Sequence, residues 1–438
     1  MSIFQNQISR LRVFHGRPYK GRNKKGGQER DETSRIFAKY PGSFASLDYV
    51  SNWILKAVEY SSHTDTDVAF VATNSVCQGE QVALLWPIVF REGCHIHFAH
   101  TSFKWANLAS DKAGVTVVIV GLSRRHSGPC SIFFGDEARA VSSIGPYLVP
   151  DSLAVVEKRS NPIAQVSPMY LGNMAKDGGN LIMDLDEGRA LVAAGVPQKF
   201  VRKFYGSEEM INARPRACIW VSDDEIDEAV ESPAIAAAFE RVRQFRAASP
   251  AGSTQKFAVT PHRFVQMSAK NGDRAIVIPR VSSENRAYLP VDILKAGPII
   301  GDKCYGIYDA PIWNLSLIAS TLHRVWIATV CSRLRTDYSY GNKLGWNTFP
   351  IPKLTEQMKA DLTACAEDIL LAREAHFPAT IADLYDPEAM PENLRAAHDR
   401  NDEVLERIYI GRRFRNDTER LEKLFELYTK MTAKGKAA

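Results

Sequence analysis

Apolar positions in the first third of the chain alternate between two spacings. In SLDYVSNWILKAVEY, Leu47, Val50, Ile54, Ala57 and Val58 fall on one helical face, with Ser46 the expected N-cap. DVAFVATNS, at 67–75, reads as a buried strand ending in Asn-Ser. A helix is predicted across 80–90, bent at Pro87. HIHFAH (95–100) and VTVVIVGL (115–122) read as two more strands. The second is an uninterrupted β-branched run, as expected of a strand covered on both faces. Helices alternating with buried strands predict an α/β sheet domain. Upstream, KGRNKKGGQERDE at 20–32 is polar and contains glycines, and is read as a loop.

From about residue 160 turns become frequent, as in SNPIAQVSPMYLGNMAKDGGN. One long helix is predicted over 313–333, with Leu315, Ile318, Leu322, Trp326 and Val330 near one face. After Pro350 and Pro352 the chain reads as nearly all helical. Leu354, Met358, Leu362 and Ile369 make one stripe, Pro391 opens a second helix, and Asp417 caps a third. No internal repeat is visible. With 438 residues, two or three domains are expected.

Composition changes this picture little. Hydrophobic residues make up 45% and charged residues 24%, enough for a core without disulfide staples. Seven cysteines stand alone with no C-x-x-C pair, which argues against a zinc ribbon and fits a reducing cytoplasm. The N-terminus lacks a signal-peptide core, and no apolar run reaches bilayer length. The protein is therefore expected to be cytoplasmic, with no membrane partner. No compact metal-binding or nuclease set of acids is found, so no metal is expected. Net charge is +5, but its distribution matters more than its size. Residues 10–35 hold nine Lys/Arg against three acids. Further clusters run through Lys199, Arg202, Lys203, Arg214 and Arg216, and through Arg241, Arg243, Arg246 and Lys256. Three such clusters point to a polyanion partner.

One short stretch bears on chemistry. In HGRPYKG (15–21), Pro18 and Tyr19 stand like the end of the Asn-Pro-Pro-Tyr turn of amino-methyltransferases. Gly16 and Arg17 replace the asparagine and first proline of that turn. Longer phrases follow: FVATNSVCQGEQVALLWPIVF, HIHFAHTSFKWANLASDKAGVTVVIVGL, VRKFYGSEEMINARPRACIWV and TLHRVWIATVCSRLRTDYSYGNKLGWNTFPIP. Together they resemble the MmeI-like DNA methyltransferases, which include single-chain restriction–modification enzymes that modify adenine. The resemblance spans roughly 17–432, with 1–16 read as substitute sequence.

The resemblance implies a partial class I (Rossmann-like) methyltransferase domain over 1–125. It also implies a mixed α+β target-recognition domain over 126–352 and a helical C-terminal segment over 353–438. Tyr19 and Phe103 would stack on the target base, with Pro18 in the catalytic turn. Asn74 would shape the base pocket, unless it is a helix cap, and Trp105 is the alternative to Phe103. In the recognition domain, Lys203, Arg214, Arg216, Arg280, Ser282, Ser283, Arg286, Arg333, Arg335, Tyr338 and Tyr340 are the DNA-binding candidates. Arg333 and Arg335 have a structural alternative: pairing with Asp337 or capping the preceding helix. The family uses S-adenosylmethionine, held by a Gly-rich turn after the first strand. No two glycines here are separated by one residue, so Gly-x-Gly is absent. The expectation is a DNA-recognition half whose partners are double-stranded DNA and a separate chain supplying the cofactor-binding half. The alternatives are a non-catalytic DNA-binding specificity subunit and a degenerate phage-defence protein.

Overall fold

The computed structural model describes residues 12–13, 26–64, 66–105, 115–268, 272–295 and 297–433. The chain divides into two compact units, neither contiguous in sequence. The first comprises Met1–Ala164, Val325–Pro352 and Phe414–Ala438; the second comprises Gln165–Arg324 and Lys353–Arg413.

The first unit is built on a six-stranded sheet. Its strands are β1 (Arg12–Val13), β2 (Val68–Thr73), β3 (His95–Trp105), β4 (Val115–Ser123), β5 (Cys130–Phe134) and β6 (Glu137–Val141), in the order β1-β2-β4-β3-β5-β6. Strand β1 is parallel to β2, while β4 runs antiparallel to both β2 and β3. Thus β1, β2 and β3 share one direction. The β-branched run of β4 is central, and Val117, Val118, Val120 and Leu122 are all buried. Gly121 faces Phe98 so closely that a Cβ would strike the ring.

Helices α1 (Gly27–Phe37), α2 (Val50–Thr64) and α3 (Glu80–Arg91) pack in this unit. Helix α1 corrects the loop reading of 20–32 where the two overlap, at 27–32; residues 20–25 lie outside the described residues. Thr33 and Phe37, one turn apart, are buried, and the Glu29 carboxylate accepts from the Gly26 N–H 2.8 Å away. The α2 pattern holds, but the helix starts at Val50, so Ser46 is not its cap. Strand β1 lies inside the segment read as substitute sequence, and so joins that segment to the sheet.

The second unit holds two small sheets. Their strands are β7 (Tyr170–Leu171), β8 (Ile182–Met183), β9 (Val201–Tyr205), β10 (Arg216–Ile219), β11 (Arg274–Pro279), β13 (Asp292–Lys295), β14 (Ile299–Ile300) and β15 (Cys304–Tyr308); the short β12 (Val281–Ser282) follows β11. The sheet orders are β14-β9-β10-β8 and β13-β11-β15-β7. Helices α4 (Leu185–Ala193) and α5 (Pro233–Ala247) accompany the first sheet, over a core that includes Phe200, Phe204, Phe239, Val242 and Phe264.

The long helix expected over 313–333 is instead two helices, α6 (Trp313–Ile318) and α7 (Thr321–Val330). Ser320 breaks it: its hydroxyl donates to the Leu317 carbonyl (2.7 Å) and accepts from the His323 N–H (3.1 Å), an N-cap arrangement. Asp402 adds a second cap, accepting from the Thr321 N–H at 2.7 Å and its hydroxyl at 2.6 Å. After α7, residues 332–339 form a hairpin of β16 (Ser332–Leu334) and β17 (Asp337–Ser339). The C-terminal part is helical as expected, with α8 (Glu356–Glu374), α9 (Glu392–Ile410) and α10 (Asp417–Ala433). Among the described residues no helix is long and apolar enough to cross a membrane.

Candidate base pocket and nucleic-acid interface

The sheet register of the first unit brings the pocket candidates to one level. Val117 of β4 pairs with Thr73 of β2 on one side and with Phe103 of β3 on the other. Thr73 and Phe103 therefore stand two strand spacings apart, roughly 10 Å. Since β2 and β3 run the same way, both lie at the carboxyl edge of their strands, where open α/β sheets bind ligands.

At this edge β2 passes into a single 3-10 turn, Asn74–Cys77. The Asn74 side chain is buried, and its Nδ2 has no hydrogen-bond partner among the described residues. Ser75 donates to the Asp48 carboxylate (2.7 Å) and the Trp86 indole N–H donates to the Val76 carbonyl (2.7 Å). The turn is thus held while the Asn74 amide donor stays unspent. The register of β3 shifts between His100 and Phe103, which re-aims the side chains beyond it. Phe103 is half-buried and meets the His100 ring edge-on at 4.7 Å. Trp105 closes the strand, its backbone opposite Val115. Pro18 and Tyr19, with Gly16 and Arg17, lie outside the described residues.

Four of the DNA-binding candidates lie in the first unit, three in the hairpin and Tyr340 directly after it. Tyr338 and Tyr340 are buried. Arg333 is opposite Tyr338, its guanidinium 4.8 Å from the ring centroid, and it donates to the Thr336 carbonyl at 2.6 Å. Arg335 is exposed in the two-residue turn with φ 60°.

The other seven lie in the second unit. Lys203 on β9 and Arg214 are exposed. Arg216 is part-exposed, but its guanidinium is engaged, 2.6 Å from the Glu209 carboxylate and over the Phe204 ring at 5.2 Å. Arg280 donates to the Asp302 carbonyl at 2.9 Å. Ser282 is buried, Ser283 accepts from the Asn285 N–H at 3.3 Å, and Arg286 is half-buried.

Arg246 leaves the basic cluster assigned to it by sequence. It is fully buried, and its guanidinium donates to the carbonyls of Ala175, Lys176, Phe257, Thr260 and Arg263 at 2.7–3.0 Å. Those are all five of its N–H bonds, leaving none for a phosphate.

Sequence reading missed a groove in the second unit. A cleft of about 1040 Å³ is lined by Lys203 and Lys295 with the rings of Tyr205 and Trp220. Lys199 and Glu225, also in its wall, are 3.4 Å apart and largely cancel. No local pattern joins Lys203 to Lys295, which are distant in sequence.

The first unit also has a cleft of about 740 Å³ beside α1, lined by Arg30, Thr33, Phe37, Tyr40 and Phe44 among others, but by no carboxylate. A class I cofactor site needs an acid for the ribose hydroxyls and a close glycine turn. The described residues of this cleft do not fit S-adenosylmethionine. Among the described residues no group of acids, histidines or cysteines could hold a metal.

Family comparisons agree along the chain. Residues 6–134 match the MmeI DNA-methyltransferase domain, 150–353 the MmeI target recognition domain and 354–434 the MmeI C-terminal domain. The first match starts at residue 6, so the resemblance reaches into the segment taken for substitute sequence. DNA methyltransferase A of Bacillus subtilis (strain 168) is 38% identical over 423 residues, covering 96% of this chain and 48% of its own length. The solved structure of the Type IIL restriction-modification enzyme MmeI in complex with DNA superposes with a TM-score of 0.87 at 32% identity, over 97% of this chain and 57% of that one. The chain thus spans about half the length of these relatives. With the methyltransferase, target recognition and C-terminal domain matches following one another along nearly the whole chain, the chain belongs to the MmeI family.

Proposed function

We propose that this chain recognises a specific site in duplex DNA and offers a pocket for an extruded adenine, whose exocyclic amino group S-adenosylmethionine methylates. The register at Val117 supports the reading: it sets Thr73 level with Phe103 near the carboxyl edge of the sheet, and Asn74 is the next residue, the first of the turn that leaves β2. An aromatic ring there can stack on a base, and an unspent amide donor can meet a purine ring nitrogen. The relative solved with DNA supports the partner. With chromosomal DNA as substrate, the protein works in the cytoplasm.

The cofactor supplies the methyl group. This chain's residues bind and position DNA, and the seat for the cofactor comes from sequence carrying the Gly-x-Gly turn, here a separate chain. By this reading the chain alone is inactive and does not bind S-adenosylmethionine. Lys203 and Lys295 hold phosphates, and Arg286 and Arg335 read bases.

The test is selection from a random duplex library at two salt concentrations. A defined motif is enriched, and affinity falls steeply with salt. Lys203→Ala lowers the log–log salt slope by about 0.9 and weakens all sequences alike. Arg335→Ala costs roughly 1–3 kcal/mol on the preferred site and little elsewhere. Binding without enrichment would remove the recognition role, and a micromolar calorimetric signal for S-adenosylmethionine would remove the separate cofactor seat.

A further inference from the structure

The 332–339 hairpin ends in an exposed apolar side chain. Leu334 is 57% exposed at the last position of β16. Its ribbon is otherwise stiffly held. Cys331, Tyr338 and Tyr340 are buried at its base, and Arg333 is pinned over Tyr338 and to the Thr336 carbonyl. The turn residue Arg335, at φ 60°, adopts the left-handed geometry that primed hairpin turns require. The ribbon carries two arginines and one acid, Asp337, opposite Leu334. A leucine left in water at the tip of a rigid, mainly cationic ribbon suits a polyanion with an apolar interior, which describes a stacked duplex.

The foot of the ribbon fixes where such a tip would act. Gly79 packs against Ser332 so tightly that a Cβ on it would strike the Ser332 hydroxyl. Gly79 is the N-cap of α3, five residues after Asn74. The Gln78 amide also donates to the Ala328 carbonyl at the end of α7. Ser332 and Leu334 are two apart on one strand, so they share a face, and that face touches the segment leaving the pocket.

We propose that Leu334 is the wedge that opens the base stack. It enters the duplex beside the target pair and fills the space vacated when the adenine turns into the Asn74–Phe103 pocket. Extrusion costs the stacking of the departing base, and an apolar side chain inserted at the step replaces part of it. The inference rests on the base-extrusion reading above.

The experiment uses the full chain and the motif enriched from the library, with 2-aminopurine placed at each adenine in turn. Wild type brightens one position. Fluorescence per bound duplex falls about tenfold in Leu334→Ala and Leu334→Ser, the scale of one lost base-stacking contact, and is retained in Leu334→Phe. A mismatch at the target pair, which removes most of the opening cost, restores the Leu334→Ala signal. Equal brightening by Leu334→Ala, or a defect that the mismatch does not relieve, overturns the wedge alone. If wild type binds the motif and brightens no position, extrusion itself fails, and the wedge with it.

Discussion

Arg246 shows how far a residue's place can depart from its type. An arginine in a basic run is ordinarily a solvated cation or a phosphate ligand. Here burial lowers its pKa, and only a full set of carbonyl acceptors makes its charge tolerable. Arg246→Met keeps much of the volume but strands several buried carbonyls. It is expected to cost about 3 kcal/mol or more. Urea denaturation reads this directly, and a midpoint within error of wild type would mean that water replaces the guanidinium.

At the scale of elements, short polar contacts decide where helices and turns begin. Ser320 and Asp402 divide α6 from α7 although the apolar spacing runs through both. Gly79 is stricter still. Its φ of 63° with ψ of −150° belongs to glycine, and Ser332 closes the space beside it. Gly79→Ala is expected to destabilise the protein by about 1–3 kcal/mol. Because α3 starts there, the same variant should loosen the Asn74 turn. Hydrogen exchange at the Val76 and Cys77 amides checks this, and unchanged protection would separate the two.

Across the whole molecule, histidines buried in the neutral state set an acid limit. Burial pushes His97, on β3, down to about 4 and His323, on α7, down to about 3, while His398, on α9, falls well below its ordinary value. All three folded values lie under the unfolded one. As pH falls below about 6.5 the unfolded chain therefore takes up protons first, and stability declines until the folded values are reached. At pH 5 the loss should be about 2 kcal/mol each for His97 and His323 relative to pH 7, with His398 acting in the same direction. Denaturation midpoints across this range check it, and His323→Gln should flatten the pH slope even if it lowers stability at pH 7. An unchanged slope would assign the acid limit to carboxylates instead.

What the sequence determined by itself is the set of elements whose signal is local. The β-branched run of β4, the helical spacing of α2 and the Pro391 start of α9 each specify their own conformation, because backbone period and burial act over a few residues, whereas the cap expected of Asp417 is made by Asn416, whose Oδ1 accepts from the Glu419 N–H at 2.9 Å. The family phrases likewise belong to continuous stretches. Tertiary structure alone decided the rest. The 27–37 helix looked too polar until the burial of Thr33 and Phe37 gave it an inner face. The compact units exchange segments, so that 325–352 and 414–438 belong with the first sheet, because buried area is optimised over the folded chain and not along it. Phe425 of α10, for example, packs on Tyr147 at 5.3 Å and on Trp326 at 5.1 Å. Whether a given arginine faces water, a ring or five carbonyls depends on neighbours tens of residues away. Charge could therefore be counted from the sequence, but its availability for DNA emerged only in three dimensions.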